Sequence, residues 1–175
     1  MRKKLVLSAT LALLLAVASV SLASATSNDD NDDNDDNDDH TRVINLTATT
    51  VQQADIDLGK NGLSLGDRFV FSDDLSKDGK QVGTDGVDCV IVRLDPKDAT
   101  EANLKAVTQH CVVTLSLPEG QITGQALLTF TNTPTPPTFT VAITGGTGEF
   151  RTAHGEVQVT DESDTVAQLA VKLIL

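Results

Sequence analysis

The sequence predicts an all-β domain of about eight short strands with almost no helix, and three observations point there. From Thr41 to Leu175, apolar residues recur at alternate positions in run after run. A period of two puts one side of each run in an interior. Turn formers separate the runs at short spacing: Asn61-Gly62, Asp78-Gly79, Pro118-Glu119-Gly120, Gly145–Gly148 and Asp161–Asp164. Only Asp95–Thr108 has a weak helical character, and there Pro96, Lys97, Asp98 and Glu101 favour a loop with one helical turn. Sandwich and barrel are the architectures that such strands build. A barrel leaves no open edge and can enclose an apolar cavity.

Two segments precede the strands. Arg2, Lys3 and Lys4 lead an apolar run, Leu5–Leu22, that ends at Ala23-Ser24-Ala25. This is the pattern of a secretory signal peptide covering residues 1–25, and it predicts a secreted, extracellular protein with no membrane anchor after cleavage. A retained anchor is the alternative, against which the run is short. Residues 26–40 contain four repeats of Asn-Asp-Asp, Asn28–Asp39, with no apolar residue in them. They read as a disordered acidic spacer. Weak, diffuse binding of divalent ions is conceivable there, but the fixed geometry of a calcium loop is missing.

Residues 41–175 are then one domain, large enough for a real core. Thr41–Val51 starts it, with Ile44, Leu46 and Ala48 on one face, and Gln52–Leu58 continues that strand after a bulge. Gly59–Gly66 is a loop. Arg68–Ser72 puts Phe69 and Phe71 on one face, and Asp73–Lys80 reads as a polar hairpin connection. Val87–Leu94 is apolar on both faces, which suits an interior on one side and a partner on the other. Cys111–Leu117, Gln121–Thr131 and Phe139–Thr144 come next, with three prolines stiffening Thr133–Pro137. After the glycines, Val157 and Val159 share a face, and Thr165–Leu175 closes the chain with Leu169, Val171 and Leu173 in phase.

Composition excludes several functions. The full chain has 13 Lys and Arg against 25 Asp and Glu, a net charge of −12 with His neutral. Such a chain is a poor partner for nucleic acid or an anionic membrane. Five Phe, no Tyr and no Trp give no stacking platform. Gly145-Gly146-Thr147-Gly148 is not a phosphate loop: no Gly-Lys-Ser or Gly-Lys-Thr stands after it, and the next residues alternate as a strand does. No serine stands in a nucleophile elbow. His110, His154 and the scattered carboxylates lack ligand spacing, so no metal is expected. Cys89 and Cys111, 22 positions apart, read first as a disulfide in an oxidising compartment and otherwise as two thiols.

Several segments resemble the allene oxide cyclase and dirigent barrel superfamily. Ala142-Ile143-Thr144-Gly145-Gly146-Thr147-Gly148-Glu149-Phe150 is similar to its Gly-Gly-[Ser/Thr]-Gly-x-Phe segment, and Ala153-x-Gly155 fits the continuation of that segment. Gly66–Leu75, Gly86–Ile91 and Gly120–Gln125 resemble further blocks in the family's order. The likeness is closest to secreted bacterial cyclase-like (dirigent-like) members. It implies an eight-stranded antiparallel β-barrel, no cofactor, and a homo-oligomer such as a dimer or trimer. It makes Gly145, Gly146, Gly148, Phe150 and Gly155 architectural.

On chemistry, the resemblance implies a barrel that holds a small apolar or amphipathic molecule and cyclises or isomerises it. A non-catalytic extracellular binding or structural protein on the same barrel is the alternative. Asp55 is the candidate acid, because a carboxyl in an apolar barrel has a raised pKa. Asp73 is a further counterpart of the family's acids by region. Phe69 and Phe71 are candidate lining residues. Arg68, Arg151 and His154 are candidate ligand contacts, the arginines suited to a carboxylate at the barrel mouth.

Overall fold

The computed structural model describes residues 41–100, 102–131 and 138–175. The expected leader (1–25), the acidic spacer (26–40) and the proline loop (133–137) lie outside the described residues. The described residues form a closed barrel of eight antiparallel strands, each bonded to the next and β8 back to β1. The strands are β1 (Thr41–Ile56), β2 (Arg68–Lys77), β3 (Lys80–Asp95), β4 (Ala106–Leu117), β5 (Gly120–Thr131), β6 (Thr138–Gly146), β7 (His154–Ser163) and β8 (Val166–Ile174). One 3₁₀ turn, Gly148–Phe150, interrupts the series. Closure gives every strand two neighbours, so the sheet has no edge strand.

The period-two patterns place the core. Ile44, Leu46 and Ala48 of β1, Leu115 of β4, Ile122 of β5, Val157 of β7 and Leu169, Val171 and Leu173 of β8 are all buried. Fully burying such a side chain stabilises by about 1.5–3 kcal/mol. The core is concentrated at one end of the barrel, where tight connections join β2 to β3 and β4 to β5 and where Phe150, wholly buried, fills the opening. The Arg42 guanidinium stands 5.6 Å from the centre of that ring, with Glu119 and Glu149 each 3.7 Å from it.

The glycine segment belongs to this closed end. Thr147 N–H donates to the Gln121 carbonyl at 2.8 Å and Glu149 N–H to the Glu119 carbonyl at 3.0 Å, docking the segment on the β4–β5 turn. Gly148 has φ of +61°, and a Cβ there would collide with the Glu119 carbonyl oxygen. The glycine segment is therefore a backbone lock, with Phe150 as its plug.

Two expectations about strand ends change. Asp73–Lys80 is not a long connection: β2 and β3 stay paired to Lys77 and Lys80, and only Asp78-Gly79 turns. Asp161–Ser163 likewise remains in β7. Acidic residues in both runs look like turn residues in sequence, yet their strands are long because barrel pairing continues past the apolar stretch. The bulge expected in the first strand is present, between Thr50 and Gln52.

Candidate functional site

Above the packed end the barrel holds a cavity of about 470 Å³, within the range of small-molecule sites. Registered pairing builds its wall. Phe71 of β2 stands opposite Gln53 of β1 and Val87 of β3, and Val87 opposite Val113 of β4. Phe69 stands opposite Cys89, and Cys89 opposite Cys111. Phe69 and Phe71 form a tilted pair with ring centres 5.3 Å apart. Leu128, Phe130, Phe139, Val141 and Val159 complete a largely apolar lining. Cys89 and Cys111 are bonded to each other, and the disulfide faces the cavity.

Two carboxyls interrupt this surface at its deep side. Asp73 and Asp85 are 6% and 8% exposed, and both line the cavity. Asp73 N–H donates to Asp85 Oδ1 at 3.0 Å. They lie in strand phase with Phe71 and Val87, one layer nearer the packed end, and Thr50 pairs with Asp73 from β1. Burial, and next the negative charge of Asp73, push the Asp85 carboxyl from 3.8 up to about 7. Burial also raises Asp73, against hydrogen bonds from Thr50 and Asp85. The interaction between the two side chains raises Asp85 and lowers Asp73, which favours the proton on Asp85 and the charge on Asp73. Asp73 Oδ1 is buried with no hydrogen-bond partner among the described residues. The pair thus stores one proton near neutral pH.

The mouth is acidic. Asp161, Glu162 and Asp164, at the β7–β8 end, line the rim. Burial raises the Asp161 carboxyl above its ordinary value although the residue stays largely exposed. Beneath the β1–β2 loop, Asp67 accepts Leu58 N–H at 2.9 Å, Ser64 N–H at 2.6 Å and the Ser64 hydroxyl at 2.9 Å. Burial pushes the Asp67 carboxyl up, but these donors outweigh it and hold it below 3.8.

The expected site residues divide. Phe69, Phe71 and Asp73 come together on the cavity wall. Asp55 does not join them: it is exposed, on the part of β1 that extends past the wall, so the burial its acid role required is missing. Arg68 is exposed and its guanidinium meets Asp88 at 2.7 Å, away from the cavity lining. Arg151 follows the closed-end plug, and His154 is exposed at the start of β7 with Nδ1 3.3 Å from the Thr152 carbonyl. Neither arginine is placed to hold a carboxylate in the cavity. Among the described residues no group of His, Cys, Asp and Glu has the arrangement of a metal site.

The Allene oxide cyclase barrel like domain family matches residues 45–175. The chain belongs to this family. A pyocyanin demethylase of known structure is 34% identical to it, at a TM-score of 0.60, over 75% of this chain and 99% of that one. AbnU, an exo-specific intermolecular Diels-Alderase, is 13% identical at a TM-score of 0.56, over 76% of this chain and 97% of that one. The Diels Alderase AbmU from Streptomyces koyangensis is 16% identical at a TM-score of 0.60, over 76% of this chain and 63% of that one. At those lower identities the likeness shows the fold alone. No curated protein matches the chain in sequence.

Within this allene oxide cyclase-like barrel, sequence reasoning missed Asp85 and the rim acids. A signal for Asp85 was present: it stands in period-two phase with Val87, Cys89 and Ile91, on the face that turns inward. The rim acids carry no such signal, because a polar run beside a turn reads as solvent-facing.

Proposed function

We propose that this barrel is an enzyme that transforms a small, largely apolar ring compound, beginning with proton transfer from the Asp73–Asp85 pair to a nitrogen or oxygen of the bound molecule. The observation that carries this reading is a buried carboxyl pair, one member raised to about 7, facing a largely apolar cavity of about 470 Å³. A proton donor is most effective when its pKa lies near the working pH. The apolar walls orient the molecule and strip it of water, which strengthens every interaction with the pair. Cyclisation or isomerisation, implied by the family, can start with such a proton. So can chemistry on an N-methyl heteroaromatic, which the 34%-identical demethylase makes the first compound class to assay. The reading includes export after loss of residues 1–25, supported by the leader pattern and by the Cys89–Cys111 disulfide.

The experiment is incubation of the purified protein with pyocyanin and related N-methyl heteroaromatics, followed by product mass spectrometry, with Asp85→Asn in parallel. Conversion that falls at least about 100-fold in the variant is expected for loss of a general acid. Conversion unchanged in Asp85→Asn contradicts the assignment. Tight binding of these compounds with no conversion leaves a binding protein, the second reading, which the mostly apolar lining favours.

A further inference from the structure

The cavity's charge inventory is one-sided. Asp73 and Asp85 lie deep, Asp161, Glu162 and Asp164 ring the mouth, and no Lys, Arg or His lines the cavity among the described residues. An acidic rim alone is an ordinary solvated surface. The deep end is different. Asp73 is 6% exposed and its Oδ1 lacks a partner among the described residues. An unpartnered buried acceptor costs free energy that a ligand N–H would recover. Burial also removes the water that would screen its charge.

We propose that the cavity selects flat ligands carrying a positive charge on an N–H-bearing nitrogen, which is placed against Asp73, and that it rejects carboxylates. This deepens the proposed function: a weakly basic ring that takes the proton from Asp85 becomes this kind of cation, with its N–H set against the Asp73 carboxylate beside it. The rim acids act before binding. Their field concentrates cations at the mouth and repels anions, and the net charge of −12 adds to it at long range. The cavity thus departs from the arginine-held carboxylate that the sequence suggested. Arg68 is engaged by Asp88 away from the lining, and Arg151 stands at the plugged end.

The test uses one three-ring skeleton with different charges: 9-aminoacridine, acridine, N-methylacridinium and acridine-9-carboxylate. Affinities are measured by fluorescence at pH 8 on the full chain. The expected order is 9-aminoacridine first, N-methylacridinium and acridine at least about tenfold weaker, and the carboxylate at least about 100-fold weaker, since each tenfold is one modest charge or hydrogen-bond contact. Asp73→Asn, a near-isosteric change made in the Asp85→Asn background so that no second carboxylate faces the ligand at pH 8, is expected to reduce the preference for 9-aminoacridine over acridine to less than about threefold. The exposed triple variant Asp161→Asn/Glu162→Gln/Asp164→Asn is expected to slow association of the cations and flatten its salt dependence while sparing the aminoacridine preference. Equal or tighter binding of the carboxylate overturns the proposal, as does a cation preference that survives Asp73→Asn in that background. Cation selection without turnover of any heteroaromatic removes the enzyme reading alone. Turnover with indifference to ligand charge removes this inference alone.

Discussion

Asp73 donates its backbone N–H to Asp85 Oδ1 at 3.0 Å, and this bond fixes two carboxyls side by side under an apolar cavity. The consequence is electrostatic. Two carboxylates so placed cannot both ionise cheaply in a site from which water is largely excluded. One proton is therefore retained in the pH range where most proteins hold ionised carboxylates.

Stability depends on pH through Asp85. Its folded pKa, about 7, is raised above 3.8. The group's stabilising contribution is therefore complete below pH 3.8 and is lost as pH rises through 7. At about 1.4 kcal/mol for each pH unit, the ceiling on that loss is about 4 kcal/mol. Asp85→Asn keeps the acceptor for Asp73 N–H and removes the titration. Thermal melts should show the variant gaining stability over the wild type between pH 5 and pH 8, with the gain vanishing toward pH 4. A gain independent of pH would contradict the assignment.

The disulfide joins β3 to β4 across 22 positions. On the chain-entropy model, its closure stabilises the fold by about 3 kcal/mol. The double variant Cys89→Ala/Cys111→Ala should lose about that much in urea unfolding. A loss under about 1 kcal/mol would mean that the sulfurs matter to the cavity wall more than to the fold.

Asp67 organises the β1–β2 loop by accepting from Leu58 and Ser64. Asp67→Ala leaves those donors unpaired and should cost about 1–3 kcal/mol. Amide hydrogen exchange at Leu58 and Ser64 should speed up first. Unchanged exchange there would show that the loop is held by something else.

Gly148 and Gly62 separate two causes of a glycine requirement. Both have positive φ, +61° and +90°, but only Gly148 meets backbone where a Cβ would stand. Gly62→Ala is opposed by backbone conformation alone, about 1–2 kcal/mol. Gly148→Ala adds a collision with the Glu119 carbonyl and should be clearly more destabilising in the same unfolding assay. Equal effects would deny the backbone lock.

The barrel was legible in the sequence because period-two runs, glycine turns and the Gly145–Phe150 segment are all local signals, and the structure realises each of them. Phe69 and Phe71 were legible as cavity lining for the same reason. The acid was not. Asp55 looked apt because it alternates with Ile56 and Leu58, but those residues are themselves exposed where β1 extends past the wall. Local alternation gives a residue's face and not its height along the barrel. Height is set by the register between strands, and register is what brought Asp85 level with Asp73. Arg68 lies away from the cavity lining for a related reason. Its partner Asp88 stands on β3, the strand paired with β2, 20 positions away in the chain.

The stored proton is the centre of the account, and infrared titration reads it directly. The C=O stretch of a protonated carboxylic acid should persist to neutral pH in the wild type and disappear with a midpoint near pH 7, and Asp85→Asn should lose that component. A wild-type protein whose carboxyls are all ionised by pH 5 would contradict it.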